Sequence, residues 1–190
     1  VILFNIDSKS ETNGKQNKDA IVNVFLKVFN QMQGFCGSIP HVADLERRLS
    51  EEGRYGEFKA AFEEEYGEPW EDSRQDFDFI QDSVVDALVS MDFMSEAAAR
   101  NWCEKAVEPY TISIEDFAKR VKAYIDRKGN NHHVVFLVDE IGQYIGDDSK
   151  LMLNLQTVTE ELGKECMGKA WVSVTSQQDI DSITKVKGND

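Results

Sequence analysis

Residues 133–140 read His-Val-Val-Phe-Leu-Val-Asp-Glu, and this segment decides the fold that we expect. Five apolar residues, 134–138, are followed directly by the carboxylates Asp139 and Glu140. An apolar run that is rich in β-branched residues and does not alternate is typical of a parallel strand buried on both faces, because helices cover both sides of such a sheet. Open α/β sheets bind ligands at the carboxyl ends of their strands, so the acid pair stands where a functional site is expected.

An apolar strand that ends in Asp-Glu is also the Walker B pattern of P-loop ATPases. In that pattern Asp139 would hold the magnesium ion of a bound nucleotide through water, and Glu140 would orient and polarise the attacking water. The same letters arise where acidic side chains simply meet solvent and the N-terminus of the next helix. The segment alone therefore leaves both interpretations open.

Two further strands are predicted at residues 1–7 and 170–175, and the segments between the strands have helical apolar spacing. The predicted order is strand, long helical region, strand, helix, strand and a last short helix at 179–184. A strand-helix-strand alternation indicates a parallel sheet with right-handed crossovers. The first helical region is longer than one crossover requires, so residues 15–111 are predicted to form a helical insertion beside the sheet.

Local signals place the helices of this region. Apolar residues recur at helical spacing from Ile21 to Met32, around 42–49, at 58–66, at 73–91 and at 95–106. Ser113 followed by Asp116 resembles a capping box and predicts that a helix begins there.

The end of the third strand carries the polar residues Thr175, Ser176 and Gln177. In ATPases of the AAA+ group a polar residue at this place, called sensor 1, hydrogen-bonds the attacking water or the terminal phosphate. Ser176 and Gln177 are the candidates, provided that this strand neighbours the Asp-Glu strand. The alternative is that they begin a turn and cap the following helix. Asp7 with Ser8, at the end of the first strand, is better explained as the cap of a turn.

Composition excludes some classes of function. The chain has 21 Lys and Arg residues against 35 Asp and Glu residues, a net charge of -14 that disfavours direct binding of nucleic acid. No apolar run approaches the roughly 20 residues of a membrane span.

The three cysteines are widely spaced and form no Cys-x-x-Cys motif, so we expect free thiols in a reducing cytoplasm. His132 and His133 point to opposite faces of a strand and cannot readily ligate one metal ion together.

One expected motif is missing. The phosphate-binding loop, Gly-x-x-x-x-Gly-Lys-[Ser/Thr], does not occur in the 190 residues. The chain opens inside a strand-like segment without Met, so we expect it to begin within a longer protein whose loop precedes Val1. Residues 1–7 would then be the second strand of a P-loop fold. Otherwise the protein does not bind nucleotide in the P-loop manner.

Three stretches together resemble the BrxC/PglY family of large P-loop ATPases from bacterial BREX (bacteriophage exclusion) defence systems: VVFLVDEIGQYI at 134–145, ILFNIDSKSET at 2–12 and WVSVTSQQD at 171–179. The resemblance implies an α/β fold, a truncated AAA+-like P-loop NTPase parallel sheet. Its partial core would comprise residues 1–14 and 112–190, with residues 15–111 as a large helical insertion.

The resemblance also implies roles for individual residues. Carried over by position, Asp139 would be the magnesium-side acid, Glu140 the water-activating base, and Ser176 or Gln177 the sensor. ATP and Mg²⁺ would be used by the longer protein in the cytoplasm, and we expect neither to bind these 190 residues tightly. The expected partners are other defence-system proteins or further copies of the same chain.

Two rival functions remain at this stage. The acidic helical insertion could be a non-catalytic module that docks a partner protein. A metal-dependent hydrolase using Asp7, Asp139 and Glu140 would require that these residues bind a divalent metal ion.

Overall fold

A computed structural model describes residues 1–6, 19–146 and 148–176. This part of the chain is mixed α/β, mostly helical, with a three-stranded parallel sheet. It divides into two compact units, which we call the sheet unit (the described residues of Val1–Phe29 and Ile112–Asp190) and the helical unit (Asn30–Thr111). The helices in chain order are α1 (Ala20–Met32), α2 (Pro40–Glu51), α3 (Tyr55–Tyr66), α4 (Trp70–Ser73), α5 (Phe77–Ser90), α6 (Glu96–Ala106), α7 (Ile114–Lys128), α8 (Ile141–Ile145) and α9 (Ser149–Glu165).

The sheet unit is built on strands β1 (Ile2–Asn5), β2 (Val134–Asp139) and β3 (Ala170–Val174), in the spatial order β1-β2-β3. Both neighbouring pairs are parallel, as the strand-helix-strand order predicted. The register sets Asn5 opposite Asp139 and Val138 opposite Val174. The strand with the Asp-Glu pair is therefore central, and the third strand is its direct neighbour.

Aromatic side chains join the sheet to its helices. The ring of Phe25 on α1 lies 5.5 Å from that of Phe4 and 5.0 Å from that of Phe136. Phe117 on α7 packs edge-on against Phe25 and Phe29, so both helices cover the same face of the sheet. Such aromatic pairs stabilise a core beyond the area they bury. Because of this packing, residues 20–29 belong to the sheet unit, and the helical unit begins at Asn30. The sequence had suggested that the insertion begins near Lys15.

The expectation of strands buried on both faces is wrong for the described residues. Burial alternates along β1 and β2, and on the open face Leu3 is 74% exposed and Trp171 60% exposed. Since β1, β2 and β3 follow one another in sheet order, right-handed crossovers carry the connecting helices of the sheet unit to the same side. Helices α7 and α9 pack together on that side, and α9 also contacts β3.

The helical unit has its own apolar core. Its buried members are Phe35, Cys36, Val42, Ala43, Leu45, Leu49, Phe58, Phe62, Trp70, Phe77, Ile80, Val84, Val85, Ala87, Leu88, Met91, Ala99, Cys103 and Ala106. Gly67 ends α3 in the left-handed conformation, with φ of 89°, and Ser95 caps α6 by accepting a hydrogen bond from the Ala98 N–H. The predicted helix at 73–91 is interrupted, since α5 begins at Phe77 after the short helix α4 and a single 3-10 turn.

Other local predictions are confirmed. The Ser113 side chain accepts a hydrogen bond from the Asp116 N–H at the start of α7. Helix α8 was not predicted, because five residues are too few to show an apolar period. In the described ranges, no helix combines the length and the apolar character that crossing a membrane would require. The helix predicted at 179–184 lies outside the described residues.

Candidate functional site

Polar side chains from all three strands meet at the carboxyl end of the sheet. Asn5 ends β1, Asp139 ends β2 with Glu140 directly after it, and Thr175 follows β3. We call these four residues the strand-end site. Parallel strands bring their carboxyl ends to one edge, which is where α/β sheets bind ligands.

Two hydrogen bonds fix the Asp139 carboxylate. Its Oδ1 accepts from the hydroxyl of Thr175 and, at 3.1 Å, from the backbone N–H of Glu140. The Glu140 N–H also lies 3.3 Å from the Thr175 hydroxyl oxygen. Asp139 is exposed, and its Oδ2 has no partner among the described residues. One oxygen thus orients the carboxylate, while the other remains open to a ligand.

Glu140 has an uncommon backbone conformation. Its φ of 59° and ψ of 31° are left-handed, at the point where β2 ends and α8 begins. This conformation costs a side-chain-bearing residue about 1–2 kcal/mol, and outliers of this kind cluster at functional sites. The side-chain amide of Asn5 donates a hydrogen bond to Oε2 of Glu140, so the first strand holds the carboxylate that follows the second.

Backbone hydrogen bonds hold Thr175 in place beyond the end of its strand. The Thr175 N–H donates to the carbonyl of Val138 at 2.9 Å, and the Thr175 carbonyl accepts from the Ile141 N–H at 3.1 Å. The ladder between β2 and β3 thus continues past Val174 and ties the start of α8 to the third strand. The Thr175 hydroxyl is consequently positioned by main chain, which a residue in a free loop would not be.

The residues predicted for this site differ in outcome. Asp139 and Glu140 lie together at the carboxyl end of β2, and Ser176 is partly buried beside Thr175. Gln177 and Asp7 lie outside the described residues. Thr175 makes the contact with Asp139, one position earlier than the residues favoured from the sequence.

Asn5 was missed as a member of the site, and Thr175 was expected beside the acid pair but was not chosen as the sensor. The available signal was that Asn5 is a polar residue within an otherwise apolar stretch of the predicted first strand and that Thr175 is the last residue of the predicted third strand. Which residues they bind, however, depends on the strand order and on the register that sets Asn5 opposite Asp139, and neither can be derived from the local sequence.

The carboxylate of Asp139 suits a magnesium ion held through water. Mg²⁺ keeps several of its waters and is bound in nucleotide sites through one or two carboxylates together with substrate phosphates. Across the described part of the chain, no group of three or more His, Cys, Asp or Glu side chains could hold a metal ion by itself.

A different carboxylate lies at the centre of the helical unit. Glu46 is fully buried, and its Oε1 accepts hydrogen bonds from Tyr55 at 2.9 Å, from the Trp70 indole at 2.7 Å and from Arg74 at 2.7 Å. Its Oε2 accepts from the Cys36 N–H. We call these five residues the Glu46 cluster. Burial, and then the charge of Glu46, raise the pKa of Tyr55. Burial lowers the pKa of Arg74, but the Glu46 hydrogen bond and charge outweigh it and leave that pKa raised.

The comparisons with known proteins leave the family open. No protein-family model matches the sequence, and no solved structure is a significant match to this chain.

Proposed function

We propose that the strand-end site supplies the acidic half of an ATP-hydrolysing site in an AAA+-like P-loop ATPase of a bacteriophage exclusion defence system. The observation that carries the proposal is the meeting of Asp139, Glu140 and the Thr175 hydroxyl at the carboxyl ends of adjacent parallel strands. This arrangement fits the requirement of phosphoryl transfer for a metal-side carboxylate, a base and a polar group beside them. The resemblance of residues 134–145 to the BrxC/PglY family adds the reaction and its setting.

In this proposal Asp139 acts first as an anchor. Thr175 and the Glu140 N–H hold its Oδ1, which leaves Oδ2 directed to solvent for a water of the magnesium ion. The bound ion would neutralise the charge that develops on the phosphate oxygens. Asp139 therefore needs to be oriented, and both hydrogen bonds hold its Oδ1 in place.

Glu140 is proposed as the group that orients the attacking water and accepts its proton. It is partly exposed, so water can reach it, and the amide of Asn5 fixes its direction. A carboxylate that is held in a fixed direction is placed to accept a proton from a bound water. Asn5 is thus a positioning residue, and Thr175, with Ser176 beside it, takes the place expected of the polar sensor.

The proposal requires a phosphate-binding loop from outside these 190 residues. The loop would supply backbone N–H groups and a Lys to the phosphates, which none of the four residues of the strand-end site can do. Further copies of the chain or other defence-system proteins would be the partners of such an assembly.

The test is ATP turnover by the full-length protein, extended upstream of Val1, in wild-type form and with Glu140→Gln. Loss of a general base typically costs about 10²–10⁴-fold in rate, so turnover should fall by that factor while ATP binding is retained. Glu160→Gln, which changes an exposed glutamate on α9 in the same unit, should leave turnover unchanged.

Two outcomes would overturn the proposal. Equal turnover in the wild type and in Glu140→Gln would remove Glu140 from the chemistry. Absence of both ATP binding and turnover in the full-length wild-type protein would remove the ATPase altogether.

A further inference from the structure

The helical unit carries nearly all of the net charge of the chain. Residues 30–111 contain 19 Asp and Glu residues and 7 Lys and Arg residues, a net charge of -12 out of the total of -14. This segment is described throughout. A surface with such an excess attracts cationic partners and repels polyphosphates.

Helix α5 presents an aromatic ring within this acidic surface. One side of α5 is buried in the core through Phe77, Ile80, Val84, Val85, Ala87 and Leu88. On the opposite side Phe79 is 89% exposed, the highest value among the large hydrophobic residues of the described ranges. Burying a Phe side chain is worth about 1.5–3 kcal/mol, and at this position that free energy is still available to a partner.

Three aspartates share the exposed side of α5 with this ring. Asp82 and Asp86 follow Phe79 at i+3 and i+7, Asp78 precedes it, and Val89 extends the same stripe at i+10. All are exposed. We call these five residues the Phe79 face. Asp82 pairs with Arg100 at 3.0 Å, whereas Asp78 and Asp86 have no ion pair among the described residues.

We propose that the Phe79 face binds a basic amphipathic segment of a partner protein, with Arg side chains between the aspartates and an apolar or guanidinium group over the Phe79 ring. Guanidinium suits both contacts, since it pairs with carboxylates through paired N–H groups and stacks on aromatic faces. The inference is independent of ATP hydrolysis and concerns a surface of the helical unit alone.

The spacing of the carboxylates also argues against a small cation as the occupant. Residues four apart on a helix have Cβ atoms about 5–6 Å apart, so Asp78, Asp82 and Asp86 form a row that cannot converge on one ion. A row of separated charges instead matches a segment whose own charges are spread along its length. Arg100 already demonstrates the pairing on this surface with Asp82.

The probe is a fluorescently labelled peptide of about 18 residues with arginines and leucines at i, i+4 spacing, titrated with the whole chain at about 150 mM salt so that distant charges are screened. Phe79→Ser should weaken binding about tenfold, the scale of a central aromatic contact. The pair Asp78→Asn with Asp86→Asn should weaken it by a similar factor.

The matched control is the pair Glu63→Gln with Glu64→Gln on α3, which removes the same charge from exposed positions that lack an exposed Phe. This pair should change binding less than twofold. Thermal unfolding checks that the exposed substitutions leave the fold intact, and a variant that unfolds is replaced by Phe79→Gln.

Three results would overturn the inference. The control pair could weaken binding as much as the aspartate pair, which would mean attraction by bulk charge. The wild type could show no binding of the peptide. Alternatively, the chain could self-associate in sedimentation and lose that association with Phe79→Ser, which would make the face an interface between copies.

Discussion

Glu46 in the helical unit and Asp139 in the sheet unit are carboxylates held in opposite ways. Glu46 is inaccessible to solvent, and hydrogen bonds from four donors occupy both of its oxygens. Asp139 is exposed and takes its described hydrogen bonds on one oxygen. A carboxylate whose acceptor sites are filled by the protein stabilises the fold, whereas one that keeps an oxygen free can bind something else. The Glu46 cluster is therefore structural, and the strand-end site is available for function.

The comparison predicts its largest effect for Glu46→Ala. Removing this side chain leaves the Trp70 N–H without its acceptor and the largely buried Arg74 guanidinium without its counter-charge, and breaking a buried pair in this way costs about 3–5 kcal/mol. The free energy of unfolding, measured by urea denaturation, should fall by that amount. Glu140→Ala removes a partly exposed carboxylate and should cost less than about 1 kcal/mol. Similar losses in the two variants would contradict the distinction between the regions.

Buried thiols show a second way to bury an ionisable group, which is to keep it neutral. Burial raises the pKa of Cys103, in the helical unit, and of Cys166, in the sheet unit, to about 11. Each thiol lies 3.8 Å from a single carbonyl, that of Gln81 or of Ala118. The charges of Arg100 and Lys122 lower the pKa of Cys103 and Cys166 respectively, but burial outweighs them. An unfolded thiol ionises near pH 9, so between about pH 9 and 11 the unfolded state has released a proton that the folded state retains.

The free energy of unfolding should therefore keep the full contribution of these thiols below pH 9. It should fall as the pH rises towards 11, by on the order of 2 kcal/mol per thiol. Urea denaturation of the wild type and of Cys166→Ala at several pH values between 8 and 10.5 measures this. The variant starts from a lower stability because it loses packing, but its decline with pH should be shallower. Parallel declines would mean that the Cys166 thiol does not contribute.

Local features of this fold could be predicted from the sequence, because they depend on neighbouring residues. Ser113 and Asp116 begin α7 as their spacing indicates. The apolar residues that recur at helical spacing in α1 are buried, as expected for one face of an amphipathic helix. Parallel pairing likewise follows from the alternation of strands and helices. These signals are short in range, since capping and amphipathic spacing operate within one or two turns of helix.

Features that depend on long-range geometry could not be predicted. The open face of the sheet with Leu3 and Trp171 depends on strand order, which puts successive crossovers on one side. The contact of Asn5 with Glu140 depends on register, across 135 residues of chain. Glu46 shares the apolar stripe of Val42, Leu45 and Leu49 on α2, but a polar residue in such a stripe does not reveal which donors surround it. The sequence could therefore identify the acid pair but could not identify what orients it.

The smallest expected effect concerns the backbone at Glu140. Its left-handed conformation costs a residue with Cβ about 1–2 kcal/mol, whereas Gly adopts it freely and loses part of that gain through the entropy of its unfolded state. Glu140→Gly should therefore raise the free energy of unfolding by about 0.5 kcal/mol above that of Glu140→Ala.

Met167 has the same type of conformation, with φ of 50°, on an exposed side chain outside the strand-end site, so Met167→Gly against Met167→Ala is the matched control. A gain at both positions, with turnover of the full-length protein lost in both Glu140 variants and kept in both Met167 variants, would mean that the strain at Glu140 is retained because the proposed reaction needs its side chain there. No gain at Glu140 alongside a gain at Met167 would mean that the strand-end site imposes no strain on its backbone.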